Sequence, residues 1–302
     1  MSFKSGFITL IGPPNVGKST LLNALLGQKI SIVSSRPQTT RNRILGVKHL
    51  EGGQAVFLDT PGILEPKGLL NQSLIQVALR SLEEVNLIIL LIEPFPAGFS
   101  LPSNLQSRLS KTKTPIFLVI NKIDLIKKKA LLPLMDLAPQ MLSFEKIIPV
   151  SARTGEGLED LEKALLPYLP EGPPYFPEDM ITDLPERFLV GELIREKVFR
   201  LTSQEVPYGV AITVESFKPR EDKPITHIQA TIHVERDSQK GILIGKQGQM
   251  LKTIGQQARM DMETLLGNKV FLELWVRVEK DWSKDTKFLR KFGYEEGLGK
   301  DE

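Results

Sequence analysis

The most informative segment of the sequence is Gly12-Pro13-Pro14-Asn15-Val16-Gly17-Lys18-Ser19. It fits the pattern G-x-x-x-x-G-K-[ST], in which glycines allow several backbone N–H groups to point at one anion. The apolar residues 7–11 before it predict a buried strand, and residues 19–26 after it predict a helix, whose N-terminus favours negative charge. We interpret the stretch as a phosphate-binding loop, with Lys18 reaching the outer phosphates and Ser19 ligating Mg²⁺. A plain Gly/Pro turn is the alternative, and three further motifs argue against it.

Composition limits the classes of protein to consider. The 302 residues suggest two domains, and the net charge of +3 permits an anionic partner without requiring one. Cysteine is absent and His49, His227 and His233 lack metal-ligand spacing, which excludes disulfides and thiolate zinc sites. The longest apolar run, 87–92, is far shorter than the roughly 20 residues of a membrane span, and residues 1–6 lack a signal peptide. We expect a soluble, intracellular protein.

Apolar strands alternate with helical segments through the first part of the chain. After the first strand, the predicted strands are 44–47, 55–58, 87–92, 116–120 and 146–150, and the predicted helices are 69–84, 101–110 and 130–143. Residues 44–47 and 55–58 form a hairpin. The order predicts an α/β domain with a mostly parallel sheet, helices on both faces and ligands at the carboxyl ends of the strands. The polar stretch 34–41 has little to bury and is expected to form a mobile surface loop.

The motif Asp59-Thr60-Pro61-Gly62 directly follows the strand 55–58. An acid at the carboxyl end of such a strand lies beside the cation held by the phosphate loop. We therefore assign Asp59 to Mg²⁺ through a water molecule.

The motif Asn121-Lys122-Ile123-Asp124 indicates guanine. The Asp124 carboxylate is an acceptor for guanine N1–H and the N2 amine, and adenine would leave this charge unpaired. Asn121 is expected at the other edge of the base and the stem of Lys122 across its face. The Ser151-Ala152 backbone is expected to complete the pocket. A solvated polar turn is the alternative reading. The predicted contacts to GTP or GDP are Gly12, Pro13, Pro14, Asn15, Val16, Gly17, Lys18, Ser19, Thr20, Asp59, Thr60, Pro61, Gly62, Asn121, Lys122, Asp124, Ser151, Ala152 and Arg153.

These motifs, in this order, resemble translation-factor-type GTPases and specifically the Era family. Gly-Gln-Lys-Ile-Ser-Ile at 27–32 and Pro-Gln-Thr-Thr-Arg at 37–41 are similar to the switch I stretch of that family. The match makes Thr40 the expected switch ligand of Mg²⁺. Thr39 is the alternative, since spacing does not choose between them.

Five prolines between Pro167 and Pro177 predict an extended, semi-rigid connector. We place a GTPase domain at 1–170, a linker at 171–184 and a KH-type RNA-binding domain at 185–302. The predicted elements of the last domain are, in order, a helix within 185–202, strands at 210–217 and 228–235, a short segment at 241–248, a helix at 251–266 and a strand at 270–278. This α-β-β-α-α-β order resembles the α+β type II KH fold.

The stretch Gly245-Lys246-Gln247-Gly248 fits the GXXG loop with which KH domains hold about four nucleotides of a single strand. Ile244 is the expected platform for bases, although a plain helix-joining turn remains an alternative. Residues 236–291 contain twelve Lys/Arg against seven Asp/Glu, which suits an RNA backbone. We expect Trp275 in the core, whereas Trp282 and Phe288 fit either a core or a stacking role.

The resemblance covers nearly the whole chain. It implies a bacterial enzyme that hydrolyses GTP to GDP and phosphate, binds the 3′ end of 16S rRNA and acts in 30S subunit assembly. It also implies a cytoplasmic location with peripheral membrane association, and no oligomer is required. Two alternatives remain at this point: an RNA chaperone with incidental hydrolysis, and a membrane-associated signalling GTPase.

The catalytic group is not obvious from the sequence. Ras-like GTPases place a water-orienting glutamine directly after Asp-x-x-Gly, and here that position is Ile63. Lys18 and Mg²⁺ neutralise phosphate charge. Asn15 resembles the asparagine that helps to hold K⁺ in related GTPases with an apolar residue at the glutamine position. The alternative is that Asn15 only stabilises the turn.

Overall fold

The computed structural model describes residues 2–34, 36, 39–63, 68–94, 101–203, 205–220 and 223–294. It divides into two compact units. The first unit comprises residues 1–31, 40–66 and 74–183, and the second comprises residues 32–39, 67–73 and 184–302. The domain limits at 170 and 184 stay predictions.

The strands, in chain order, are β1 Lys4–Ile11, β2 Ile44–Leu50, β3 Gly53–Asp59, β4 Leu87–Ile92, β5 Ile116–Ile120, β6 Lys146–Pro149, β7 Ala211–Pro219, β8 Ile225–Val234 and β9 Lys269–Val278. The α-helices are α1 Lys18–Leu26, α2 Gly68–Arg80, α3 Ser103–Leu109, α4 Leu131–Leu137, α5 Leu158–Leu165, α6 Glu186–Leu201, α7 Asp237–Ile244, α8 Gln249–Leu266 and α9 Thr286–Lys291.

The first unit is built on a six-stranded sheet with the order β2-β3-β1-β4-β5-β6. Only β2 is antiparallel to its neighbour, so the predicted mostly parallel α/β fold is confirmed. All six residues of β4 are buried, because the strand lies inside the sheet with helices over it. The parallel strands end at one edge, where the phosphate loop and the later motifs follow them.

The proline-rich connector is ordered along the first unit. The N–H of Ser5 donates to the Pro170 carbonyl at 3.0 Å, and the N–H of Val47 donates to the Ile181 carbonyl at 2.7 Å. Between them, the Gln54 side chain accepts from the N–H of Tyr175 at 2.8 Å. The connector therefore satisfies backbone and side-chain groups of β1, β2 and β3.

The expectation of a surface loop at 34–41 is wrong for its last three residues. Thr39, Thr40 and Arg41 are 9%, 8% and 3% exposed. Residues 35, 37 and 38 of the same stretch lie outside the described residues. Polarity alone does not place a segment at the surface when its polar groups find partners in the fold.

The second unit has a three-stranded sheet with the order β7-β8-β9, in which β8 and β9 are parallel. Helices α6 and α8 pack against each other and against this sheet. Its α-β-β-α-α-β order is the one predicted from the sequence.

Two tryptophans differ sharply in burial. Trp282 is fully buried, and its indole N–H donates to the Gly209 carbonyl at 2.9 Å. Trp275 is 47% exposed, so the prediction that it packs in the core is wrong. The even-numbered apolar residues of β9, from Val270 to Val278, face the helices, and strand alternation turns Trp275 to the other face. Phe288 is partly buried.

Among the residues described, none of the helices combines the length and apolar character needed to cross a bilayer.

Candidate functional site

The phosphate loop connects the end of β1 to the start of α1. Gly12 and Gly17 have φ angles of 152° and 95°. A Cβ atom on Gly12 would lie 2.3 Å from the carbonyl oxygen of Leu91, and one on Gly17 would lie 2.3 Å from Nδ2 of Asn121. Both positions therefore require glycine, for conformation and for space.

Lys18 is folded back over its own loop. Its Nζ donates to the carbonyl oxygens of Gly12 at 3.0 Å and Pro13 at 2.9 Å. Burial lowers the pKa of Lys18 to about 8, and the nearby Asp59 carboxylate offsets part of that shift. A bound phosphate would favour the charged form of this ammonium group, which suits a residue that neutralises developing charge.

Ser19, Thr40 and Asp59 form a cluster of hard oxygen ligands. Ser19 Oγ donates to Asp59 Oδ2 at 2.7 Å and lies 2.8 Å from Thr40 Oγ1. The Oδ1 atom of Asp59 is buried and has no hydrogen-bond partner among the described residues. Burial raises the pKa of Asp59, while the Ser19 hydroxyl and the Lys18 charge act in the opposite direction. These residues fit Mg²⁺: Ser19 and Thr40 would hold the ion, and the open Asp59 oxygen would accept from a water bound to it.

The structure brings Thr40 to this cluster and not Thr39. The Thr39 hydroxyl donates instead to the Arg36 carbonyl at 2.9 Å. Thr60 also uses its hydroxyl elsewhere, donating to the Leu10 carbonyl at 2.8 Å between strands β3 and β1.

The turn after Asp59 lies directly on the phosphate loop. A Cβ atom on Gly62 would lie 2.7 Å from Cα of Pro14, and the N–H of Ile63 donates to the Gly12 carbonyl at 3.3 Å. The Ile63 side chain is fully buried in the hydrophobic core. It therefore has no part in orienting water, as its chemistry implied.

The motif 121–124, which was predicted to recognise guanine, follows β5, and the carboxylate of Asp124 accepts from two donors. Ser151 Oγ donates to Asp124 Oδ1 at 2.7 Å, and Arg153 forms an ion pair with Oδ2. The Ser151 hydrogen bond is the largest cause that lowers the pKa of Asp124. An ionised carboxylate with free acceptor capacity is the group that guanine N–H donors require.

Lys122 has a partner that the sequence did not suggest. It adopts a left-handed φ of 63° and forms an ion pair with Glu93, which follows β4. Glu93 is a single acid after an apolar strand, and no local pattern marks it. The pair holds the ammonium end of Lys122, and its aliphatic stem remains the part predicted to lie across the base.

Asn15 is exposed and has a left-handed φ of 65°. Asparagine tolerates this conformation better than most residues, so the geometry is compatible with a turn-stabilising role as well as with a ligand role.

The GXXG loop of the second unit connects α7 to α8. Gly245, Gln247 and Gly248 have φ angles of 71°, 51° and 77°. A Cβ atom on Gly245 would lie 2.8 Å from Cβ of Met250, so this position has no room for a side chain. Lys246 is exposed, and Ile244 is partly buried at the end of α7.

A groove of about 420 Å³ begins at this loop and runs between α8 and β9. Its floor is apolar and its rim carries cations, a combination that suits stacked bases and a phosphate backbone. The lining residues are Gly248, Leu251, Lys252, Gly255, Gln256, Arg259, Leu272 and Leu274. Only Gly248 of this set was predicted from the sequence.

Comparison with known proteins gives two family matches and many full-length relatives. Residues 7–122 match the family described as 50S ribosome-binding GTPase, and residues 205–283 match the KH domain family. The chain is 54% identical over 293 residues to the GTPase Era of Geotalea uraniireducens, covering 97% of this chain and 98% of the relative. It is 46% identical over 296 residues to the GTPase Era of Carboxydothermus hydrogenoformans, covering 98% and 99%.

Two solved structures are similar over the same extent. Era from Aquifex aeolicus bound to GDP and AlF4⁻ has a TM-score of 0.92 and 44% identity, covering 97% of this chain and 99% of that one. A structure of Era with MgGDPNP and nucleotides 1506–1542 of 16S ribosomal RNA has a TM-score of 0.92 and 45% identity, with the same coverage.

Proposed function

We propose that this chain, which belongs to the GTPase Era family, couples GTP hydrolysis to RNA binding during assembly of the 30S ribosomal subunit. The first unit binds GTP or GDP with Mg²⁺, and the KH domain binds the 3′ end of 16S rRNA in the cytoplasm, without an oligomer. The observation that carries the proposal is that one chain holds both a guanine-type nucleotide site and a GXXG loop at the head of a cation-rimmed groove.

The nucleotide part is supported by the chemistry of the site. The phosphate loop and Lys18 meet the phosphates, Ser19 and Thr40 would ligate Mg²⁺, and Asp124 meets the base. Mg²⁺, when bound, supplies charge neutralisation on the phosphate oxygens. Lys18 acts beside it as a fixed positive group.

The RNA part is supported by the groove and by a relative. An Era structure contains nucleotides 1506–1542 of 16S ribosomal RNA, and this chain is 45% identical to that protein. Lys252 and Arg259 on α8 give the groove a positive rim, which attracts the phosphate backbone irrespective of sequence. The apolar floor formed by Leu272 and Leu274 suits the faces of bases.

The switch part is supported by the course of the chain at Thr39 and Thr40. Thr40 lies in the first unit beside Ser19, whereas residues 32–39 belong to the second unit. There, Arg195, which is almost fully buried, donates to the Thr39 carbonyl. A Mg²⁺-bound Thr40 would thus restrain, through one peptide bond, a segment held by helix α6 of the second unit.

Single-turnover GTP hydrolysis with and without a 16S 3′-end RNA oligonucleotide tests the proposal. A switch predicts that RNA changes the hydrolysis rate several-fold, and that Lys246→Asp returns the rate with RNA to the RNA-free value. An unchanged rate, with RNA bound, would instead indicate an RNA chaperone with incidental hydrolysis.

K⁺ is the proposed second cation, with Asn15 as its side-chain ligand beside the phosphates. Peripheral membrane contact, which the family resemblance implied, stays a prediction, and liposome flotation against an RNA pull-down tests it.

A further inference from the structure

Ser31 is a buried residue beside the expected Mg²⁺ site. It lies in the stretch 27–32, but no role for its side chain follows from the sequence motifs. It is 2% exposed, and its hydroxyl donates to Asp59 Oδ2 at 2.9 Å. Ser19 donates to the same oxygen at 2.7 Å. Two hydroxyl donors therefore converge on one carboxylate oxygen and leave Oδ1 without a partner among the described residues.

The backbone of Ser31 is held from α1 by Asn23. The Asn23 amide donates to the Ser31 carbonyl at 2.7 Å, and its Oδ1 accepts from the N–H groups of Ile30 and Ser31, each at 3.0 Å. Three hydrogen bonds on two consecutive residues leave this point of the chain little freedom.

Asn23 and Ser19 are four residues apart on the same helix and so share a face. One face of α1 thus provides both a predicted metal ligand and the clamp on Ser31. The Asp59 carboxylate is fixed by α1 twice, directly through Ser19 and indirectly through Asn23 and Ser31.

We propose that Ser31 is a positioning residue for Mg²⁺. By donating to Oδ2 of Asp59, Ser31 would hold the carboxylate so that Oδ1 faces the site and can accept from a water bound to the ion. The inference rests on the Mg²⁺-dependent nucleotide binding in the proposed function. Partners of metal-binding carboxylates commonly contribute ten- to a hundredfold to metal affinity, because they fix the orientation of the carboxylate.

The test is the Mg²⁺ dependence of the release of fluorescently labelled GDP from the full chain. We expect Ser31→Ala to raise the Mg²⁺ concentration for half-maximal retention at least about tenfold, while release in excess EDTA keeps the unmutated rate. Ser31→Cys, which keeps the size but donates weakly, should shift the midpoint in the same direction.

Ser81→Ala is the matched control. Ser81 is also a buried serine of the first unit, but its hydroxyl bonds to Thr9 and the Ala78 carbonyl. This variant should leave the Mg²⁺ midpoint unchanged, even if it lowers the melting temperature as much as Ser31→Ala does.

The outcomes separate this inference from the proposed function. If Mg²⁺ slows GDP release from the unmutated chain but Ser31→Ala and Ser31→Cys keep its midpoint, the role of Ser31 is wrong and the proposed function stands. If Ser31→Ala changes the rate of GDP release in excess EDTA by the same factor as the rate in Mg²⁺, the substitution affects the nucleotide site in general. The role of Ser31 in Mg²⁺ binding is then likewise wrong. If Mg²⁺ has no effect on the unmutated chain, both are wrong.

Discussion

The side chain of Asn121 joins the phosphate loop to the loop after β6. Its Nδ2 donates to the Val16 carbonyl at 2.7 Å, and its Oδ1 accepts from the N–H of Ala152 at 2.9 Å. Asn121 is 2% exposed. The side chain of Asn121, which was expected at the edge of the base, thus links two loops of the predicted pocket, and Asp124 remains the residue predicted to select the base.

Asp124→Asn should weaken GTP binding and improve xanthosine triphosphate binding, because an amide donates where the carboxylate only accepts. Competition of each triphosphate against labelled GDP measures the ratio. Asn121→Ala is the control, and it should weaken both triphosphates alike, by about tenfold for lost buried hydrogen bonds. An unchanged ratio for Asp124→Asn would remove Asp124 from base recognition.

Lys246→Asp together with Gly248→Asp should abolish RNA binding, because two negative charges then face the RNA backbone. GTP affinity should not change. Gly248 has a positive φ but open space around it, so Gly248→Ala controls for backbone strain, and Lys287→Asp on α9 controls for charge. RNA affinity and its salt dependence, from fluorescence anisotropy, provide the measurement. Unchanged values would place the RNA surface elsewhere.

GTP hydrolysis should be faster in K⁺ than in Na⁺ at equal ionic strength, because K⁺ held by Asn15 would neutralise phosphate charge. Asn15→Gly is the informative variant, since glycine keeps the left-handed φ of 65° and loses only the side chain. It should remove the salt difference while nucleotide affinity remains. Ile63→Gln should give no large gain and should lower stability, because the amide would be buried in the core. Equal rates in both salts, with and without RNA, would contradict the K⁺ role.

The stability of the second unit should fall as the pH decreases below about 6.5. Burial lowers the pKa of His233 to about 4, although Glu279, 3.8 Å away, acts in the opposite direction. Between these pH values the unfolded chain binds the proton and the folded chain does not, so stability falls by about 1.4 kcal/mol per pH unit at most. Urea unfolding at pH 7 and pH 5, followed by tryptophan fluorescence, measures this, since Trp275 and Trp282 both lie in the second unit.

His233→Gln is the variant that isolates this effect, because glutamine does not titrate and still reaches Thr213, which lies 2.8 Å from His233 Nε2. Its loss of stability between pH 7 and pH 5 should be smaller than that of the unmutated chain. Equal losses would show that other groups cause the pH dependence.

The fold follows from the sequence, and the residues predicted to contact ligands could be proposed from it, because their chemistry restricts the residue type. A phosphate loop needs glycines at positions such as Gly12 and Gly17, and apolar runs such as 87–92 need a buried strand. These requirements are local, so they are visible in short stretches.

The supporting residues do not follow from the sequence, because they depend on tertiary contacts. Ser31 meets Asp59 across 28 positions of the chain, and Glu93 meets Lys122 across 29. A buried serine and a solvated one look the same in a sequence. Trp275 could have been predicted correctly. The alternation of apolar residues along β9 turns its side chain away from the core, and this pattern should have been given more weight than the general preference of aromatic residues for burial.

If GTP and Mg²⁺ order the chain at Thr40, the nucleotide state should control RNA binding. The affinity for an RNA that corresponds to nucleotides 1506–1542 of 16S ribosomal RNA is measured with a non-hydrolysable GTP analogue and with GDP, each in the presence of Mg²⁺. We predict binding about tenfold tighter with the analogue, a typical coupling between two sites, and loss of this difference in Thr40→Ala, which still binds nucleotide. Equal RNA affinities in the two nucleotide states of the unmutated chain would show that the nucleotide state does not control RNA binding.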